Sequence, residues 1–285
     1  MKFSVVTLFP DVILNMAKVG VVGQAVTQHK IIVEAYTPRD WTTDLHKTVD
    51  DRPFGGGDGM VMMPQPLSQC IDEIQQKSFT DNRVSTTSIR RLYLSPQGKK
   101  LDHSLVMELA QEKHILLLCG RYAGVDQRLI NHYQFEEISI GDYVLSGGEL
   151  GALVLIDAIG RQLEGVLGHN ESCREDSFAG EGLLEAPSFT RPREWLGSDV
   201  PAFLLTGHHS QIKEDRWLIS VLITFKKRPD IFEKFLNLQT VDKKKWQWAV
   251  TRLKSFSEND LRVLGLNREI IELWIQKYVV TDQSQ

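Results

Sequence analysis

Three short apolar runs, each followed by small residues and then by a helix-like pattern, restrict what this chain can fold into. Arg91-Leu92-Tyr93-Leu94 leads into Ser95-Pro96-Gln97-Gly98, and Ile115 to Leu118 leads into Cys119-Gly120-Arg121-Tyr122-Ala123-Gly124. The strand-like run Phe135 to Ile140 leads into Gly141-Asp142-Tyr143-Val144-Leu145-Ser146-Gly147-Gly148-Glu149. Leu150 to Leu163 follows, apolar enough for a largely buried helix. Strands alternating with helices predict an α/β fold with a mainly parallel sheet. Glycines let the backbone turn sharply and come close to a ligand. In open α/β sheets, ligands sit outside the carboxyl ends of the strands. One small-molecule site built from three loops is therefore expected.

Around this centre, Lys2 to Phe9 reads as a strand, Asp11 to Thr27 as one helix, and Lys30 to Tyr36 as a strand. His46 to Met63 is polar and glycine-rich, Pro66 to Gln75 looks helical, and Gln76 to Arg90 is polar enough for a flexible loop. After Gly165 the alternation stops. Residues 168–176 are polar, and the chain then turns mostly helical, with His209 to Lys226, Lys243 to Phe256 and Arg268 to Val279 as helices. The division expected is a first domain over 1–167, a flexible linker over 168–176 and a smaller helical domain over 177–285. A chain of 285 residues is long enough for two cores.

Several function classes drop out. The apolar runs are too short and interrupted to span a bilayer, and Met1 to Val6 lacks the features of a cleavable signal. The cytoplasm, with no membrane partner, is the expectation. Cys70, Cys119 and Cys173 are widely spaced and odd in number, which suggests neither a disulfide framework nor a zinc site. The Gly55 to Gly59 loop lacks the G-x-x-x-x-G-K-[ST] pattern, and Asp50, Asp51 and Asp58 would repel phosphate. Charge is unevenly spread: residues 177–285 hold 16 Lys+Arg against 14 Asp+Glu, and the first 176 hold 17 against 23. Basic and aromatic residues interleave at Phe225-Lys226-Lys227-Arg228 and Lys243-Lys244-Lys245-Trp246-Gln247-Trp248. Such stretches suit phosphate contacts and base stacking, or equally a solvated helix face with a buried Trp.

Six motifs in order carry a family resemblance: Asp50-Asp51-Arg52-Pro53-Phe54-Gly55-Gly56-Gly57, Tyr93-Leu94-Ser95-Pro96-Gln97-Gly98, Cys119-Gly120-Arg121-Tyr122, the loop Ile140 to Glu149, Asp176-Ser177-Phe178 and Gly207-His208-His209. Together they resemble the bacterial tRNA (guanine-N1)-methyltransferases of the knotted SPOUT superfamily over roughly residues 1–232. The resemblance implies S-adenosylmethionine as methyl donor and guanine N1 at tRNA position 37, immediately 3′ of the anticodon, as acceptor. It also implies a deep trefoil knot in the first domain, tRNA binding, and a homodimer whose active site is shared between subunits. A divalent ion such as Mg²⁺ assists in the family; no cage of carboxylates is visible here, and no metal ligand is assigned.

Carried over residue by residue, the resemblance implies that Asp176 is the general base and that Arg161 offsets charge developing on guanine O6. The residue types also admit simpler roles, a helix N-cap for Asp176 and a favourable helix C-terminal charge for Arg161. For the cofactor it implies Tyr93, Leu94, Ser95 and Pro96 as a wall. Gly120, Tyr122 and the run Ile140, Gly141, Asp142, Tyr143, Val144 and Leu145 would hold adenine and ribose, with Gly147 and Gly148 permitting close approach. Substrate contacts fall on Asp50, Gly55, Gly59, Ser172, His209 and Arg216. Cys119 reads as a small buried residue at a strand end, because a guanine N1 acceptor needs no covalent adduct.

Three positions depart from the family pattern: Ala123 for a usual Glu, Gly151 for a usual Pro, and Asp215 for a usual Trp. Residues 233–285 extend past the usual family end. Beside the enzyme stand two other readings, an RNA-binding module without efficient turnover, motivated by Ala123, and a methyltransferase acting on another RNA.

Overall fold

A computed structural model describes residues 1–80, 88–167, 176–238 and 243–280. The chain divides into two compact units, Met1–Asn170 and Glu171–Gln285. No helix among the described residues is long and apolar enough to cross a membrane.

The first unit is built on β1 (Lys2–Val6), β2 (Ile32–Tyr36), a short antiparallel ribbon of β3 (Asp50–Asp51) with β4 (Val61–Met62), then β5 (Arg90–Lys100), β6 (His114–Cys119) and β7 (Glu136–Ser139). Five of these form one sheet in the order β2-β1-β6-β5-β7, every pairing parallel. β1 and β6 are buried along their whole length, as central strands of a sheet covered on both faces must be. The two-residue alternation of a strand sorts their side chains. Ile115 and Leu117 face the core formed with α1 (Pro10–Met16), α2 (Gly20–Thr27), α4 (His103–Leu109) and α6 (Glu149–Gly160). Leu116 and Leu118 face the core formed with α3 (Pro64–Thr80) and α5 (Gln127–Tyr133). The mainly parallel α/β sheet expected from the sequence is present.

Several local expectations change. The single helix over Asp11 to Thr27 is two. α1 ends at Ala17, Gly20 takes a left-handed φ of 63°, and α2 turns back so closely that a Cβ on Gly23 would lie 2.3 Å from the Lys18 carbonyl oxygen. The polar composition of Gln76 to Arg90 predicts a loop, yet α3 continues to Thr80 and β5 begins at Arg90, with 81–87 outside the described residues. The Ser95 to Gly98 loop does not lead directly into a helix. Leu94 pairs with Ile138, the next four residues bulge out, and the strand resumes with Lys99 opposite Ile138 and Lys100 opposite Ser139. Gly98 is where the bulge returns to β7: a Cβ there would meet the Glu137 carbonyl carbon at 2.3 Å.

The second unit holds a two-residue hairpin of β8 (Glu194–Trp195) and β9 (Ser198–Asp199), followed by helices α7 (His209–Lys227), α8 (Pro229–Leu238), α9 (Lys243–Leu253), α10 (Glu258–Val263) and α11 (Arg268–Ile275). The last continues into a π-helical turn, Gln276–Val280. Leu218 and Leu222 of α7, Phe232 and Phe235 of α8, Trp246 and Leu253 of α9, Leu261 of α10 and Trp274 of α11 share one core. The C-terminal helices are thus part of this unit's packing rather than an appendage to it. Asp215, fully buried on α7, receives two hydrogen bonds of 2.6 Å from the Arg252 guanidinium on α9.

A candidate active site at the carboxyl ends of three strands

Because β5, β6 and β7 run parallel, their carboxyl ends open on the same edge of the sheet, and the three small-residue segments meet there. They enclose a cavity of about 240 Å³. Tyr93, Leu94, Ser95 and Pro96 form one wall, and Gly120 and Tyr122 form a second. Ile140, Gly141, Tyr143, Val144 and Leu145 form a third, with Gly147 and Gly148 beneath. Each loop is shaped locally. Ser95 Oγ accepts from the Gln97 amide across the bulge, and the Tyr143 amide donates to the Gly141 carbonyl. Gly148 approaches β6 so closely that a Cβ would lie 2.7 Å from Cys119 Cα, which leaves room for no other residue.

Asp142 stands apart from this arrangement. Its side chain is exposed and lies 3.9 Å from Lys100 Nζ, so what this residue can offer the cavity is its backbone. Ala123 lines the cavity, and so do Gln97, Arg121, Ser139, Ser146 and Gly151, which were not assigned to it from the sequence. Arg121 had a signal, since it lies between Gly120 and Tyr122 in the same motif. Gly151 had none, because only the packing of α6 against Leu94 brings it near.

A buried carboxylate ties the loops together. Glu149, 3% exposed, accepts a hydrogen bond of 2.7 Å from Thr7 Oγ1 at the end of β1 and pairs with Arg121 at 3.0 Å. The Arg121 guanidinium also donates to the Ser146 carbonyl at 3.1 Å and stacks over Phe9, 4.4 Å from the ring centroid. A buried carboxylate needs such partners, and these three segments supply them. Ser95, Ser139 and Ser146 line the cavity together with the apolar Leu94, Val144 and Leu145. Burial pushes the Tyr93 hydroxyl and, much further, the fully buried Cys119 thiol above their ordinary pKa values, so Cys119 is no nucleophile at neutral pH.

The glycine-rich stretch reaches the cavity wall from outside. The Ala123 amide donates to the Met60 carbonyl at 2.8 Å, and the Met62 amide donates to the Gly124 carbonyl at 2.9 Å. A Cβ on Gly59 would lie 3.6 Å from Ala123 Cβ. Asp50 is half-buried in the ribbon, while Gly55 lies at its exposed turn with φ 85°. Other expected site residues lie away from the cavity or in the second unit. Arg161 caps the carboxyl end of α6, whose amino end is at the cavity, and twelve helical residues place the two ends about 18 Å apart.

In the second unit, Asp176 is partly buried and heads consecutive turns rather than a helix: the Ala179 amide donates to the Asp176 carbonyl, and the next α-helix starts at His209. The N-cap role is therefore excluded. His209 is exposed at the first turn of α7, and Arg216 pairs with Glu185 at 3.0 Å. Ser172 lies outside the described residues. Among the described residues, no group of three or more His, Cys, Asp or Glu side chains is placed to hold a metal ion.

The sequence profile of the family described as tRNA (Guanine-1)-methyltransferase TrmD matches residues 1–234. The tRNA (guanine-N(1)-)-methyltransferase of Actinobacillus succinogenes is 50% identical over 234 residues, which cover 82% of this chain and 92% of that protein. The protein of the same name from Haemophilus influenzae is 48% identical over 233 residues, 82% of this chain and 92% of its own length. That of Sodalis glossinidius is 47% identical over 233 residues, 82% and 90% respectively.

Proposed function

Since this chain belongs to the tRNA (guanine-1)-methyltransferase family, we propose that it transfers a methyl group from S-adenosylmethionine to guanine N1 at tRNA position 37, immediately 3′ of the anticodon. The observation that carries the reading is the three-loop cavity, whose walls are the Tyr93, Gly120 and Ile140 to Gly148 segments that hold the cofactor in this family. Its mixture of apolar side chains with loop amides and serine hydroxyls suits an adenosine group. We read the chain path through the first unit as the family's trefoil knot.

When bound, the sulfonium supplies an activated methyl carbon for in-line displacement. The protein must then align the acceptor and remove a proton, because N1 of neutral guanine carries one. Asp176 would take that proton as N1 accepts the methyl group. The Arg161 guanidinium offsets negative charge developing on O6. Asp50, Gly55, Gly59, His209 and Arg216 contact the tRNA in this reading, as does Ser172.

Two observations support a homodimer with a shared site. Arg161 follows the carboxyl end of α6, about 18 Å along the helix from the cavity at its amino end, which fits a site completed by a second subunit. In addition, Phe9 and, on α1, Val12 and Met16 expose apolar surface, as do Leu150 and Val154 on the adjoining α6. A face of this kind marks an association surface.

Methyl incorporation from labelled S-adenosylmethionine into two tRNA transcripts tests the reaction. With guanosine after the anticodon, incorporation is expected; with adenosine there, none. Incorporation into neither, with cofactor binding intact, would rule out this substrate.

Ala123 favours a second reading, an RNA-binding module with weak turnover, because an exposed methyl group lines the cavity where the family has a carboxylate. Ala123→Glu points a carboxylate toward the cofactor's positive groups and is expected to tighten S-adenosylmethionine binding by about 1 kcal/mol, read by calorimetry. Unchanged binding would show that this position has no part in cofactor affinity.

A further inference from the structure

Asp176 is held by a folded turn rather than by a helix, and that turn is fastened on its far side. The Phe178 amide donates to the Leu183 carbonyl at 2.8 Å, with Phe178 at a left-handed φ of 73°. The Glu185 amide donates to Ser177 Oγ at 3.0 Å, so residues 177–185 fold back on themselves. Three bonds attach this turn to α7: Trp217 Nε1 donates to Glu181 Oε2 at 2.6 Å, the Leu184 amide donates to Thr224 Oγ1 at 2.9 Å, and Arg216 pairs with Glu185.

Trp217 is itself fixed from behind by α9, which lies beyond the residues matched by the family profile. Lys245 Nζ lies over the indole, 3.5 Å from the ring centroid, and the Trp246 ring packs at 6.1 Å. About two turns further along α9, Arg252 holds the buried Asp215, two positions before Trp217. A continuous set of contacts thus runs from α9 through Trp217 and Glu181 to the turn that begins at Asp176.

We propose that Trp217 is a positioning residue for Asp176, and that the C-terminal helices set the general base by clamping the Trp217 indole against Glu181. The proposal rests on Asp176 being the base. It gives the C-terminal extension a part in the reaction that does not require it to touch the tRNA.

The test uses the full chain and single-turnover methylation of a tRNA transcript at saturating tRNA and S-adenosylmethionine. Trp217→Phe keeps a ring for Lys245 and Trp246 but removes the N–H that reaches Glu181. Its methyl-transfer rate is expected to fall roughly 10- to 100-fold, the loss that a displaced catalytic group produces, with tRNA and cofactor affinities unchanged. Glu181→Ala is expected to do the same, while Glu181→Gln, which still offers an acceptor to the indole, retains most of the rate. In an Asp176→Ala background, Trp217→Phe is expected to cause no further loss, because there is no base left to misplace.

An unchanged rate in Trp217→Phe, with Asp176→Ala impaired, overturns the positioning role alone. So does a full additional loss in the double variant, which would mean that Trp217 acts through folding. Retained turnover in Asp176→Ala instead overturns the assignment of the base.

Discussion

Asp176→Ala is expected to lower methyl transfer to tRNA by about 10²- to 10⁴-fold, the usual contribution of a positioned general base, while tRNA and cofactor binding persist. The loss follows from the acceptor: N1 has no free lone pair in the plane of the ring until its proton leaves, and alanine cannot take it. The side chain is partly buried at the start of a turn, not at the start of a helix, so no helix cap is lost with it. The fold of the second unit is anchored elsewhere, in the core around Leu218, Phe232 and Trp274. Circular dichroism and tRNA binding should therefore match the wild type while the single-turnover rate collapses. A variant that still turns over at the wild-type rate would remove Asp176 from the mechanism.

Arg252→Ala is expected to destabilise the second unit by about 3–5 kcal/mol, because it leaves the Asp215 carboxylate buried without its cation. Asp215 is fully buried, and Gln211 Nε2, which also donates to it, stands at 3.3 Å, too long to replace two bonds of 2.6 Å. A loss of this size should lower the melting temperature of the unit by roughly 10 °C or more, read by calorimetry as an earlier transition. Replacing both partners with apolar residues, Asp215→Leu with Arg252→Leu, should recover most of that loss, since no charge is then left buried. An unchanged transition in Arg252→Ala would show that the pair does not join α9 to α7. The pair also explains a departure from the family pattern. The resemblance implies a tryptophan at 215; the aspartate found there has its partner, Arg252, on a helix that the matched region does not contain.

The resemblance and the site were legible for a local reason. The cavity walls are contiguous runs of four to nine residues at strand ends, so Tyr93 to Pro96 and Ile140 to Gly148 could be read as units. Membership of a loop does not say which way a side chain points, and that of Asp142 is turned outward toward Lys100. Ala123 and Arg121 line the same wall, yet their partners, Met60 and Glu149, are distant in the chain. The turn that Asp176 heads is tied to α7 by Glu181 and Trp217, which no local pattern connects.

From the sequence by itself came the elements. The apolar run Ile115 to Leu118, the apolar density of Leu150 to Leu163 and the glycines after three strands are properties of short windows, and local composition reads them directly. The strand order β2-β1-β6-β5-β7 and the bulge that lets β5 run on past Gly98 came only from the tertiary structure. So did the buried pairs Thr7 with Glu149 and Asp215 with Arg252. Each of these depends on which distant segments meet. Packing and the need to pair buried polar groups decide that over the whole chain at once, and no window of ten residues contains it.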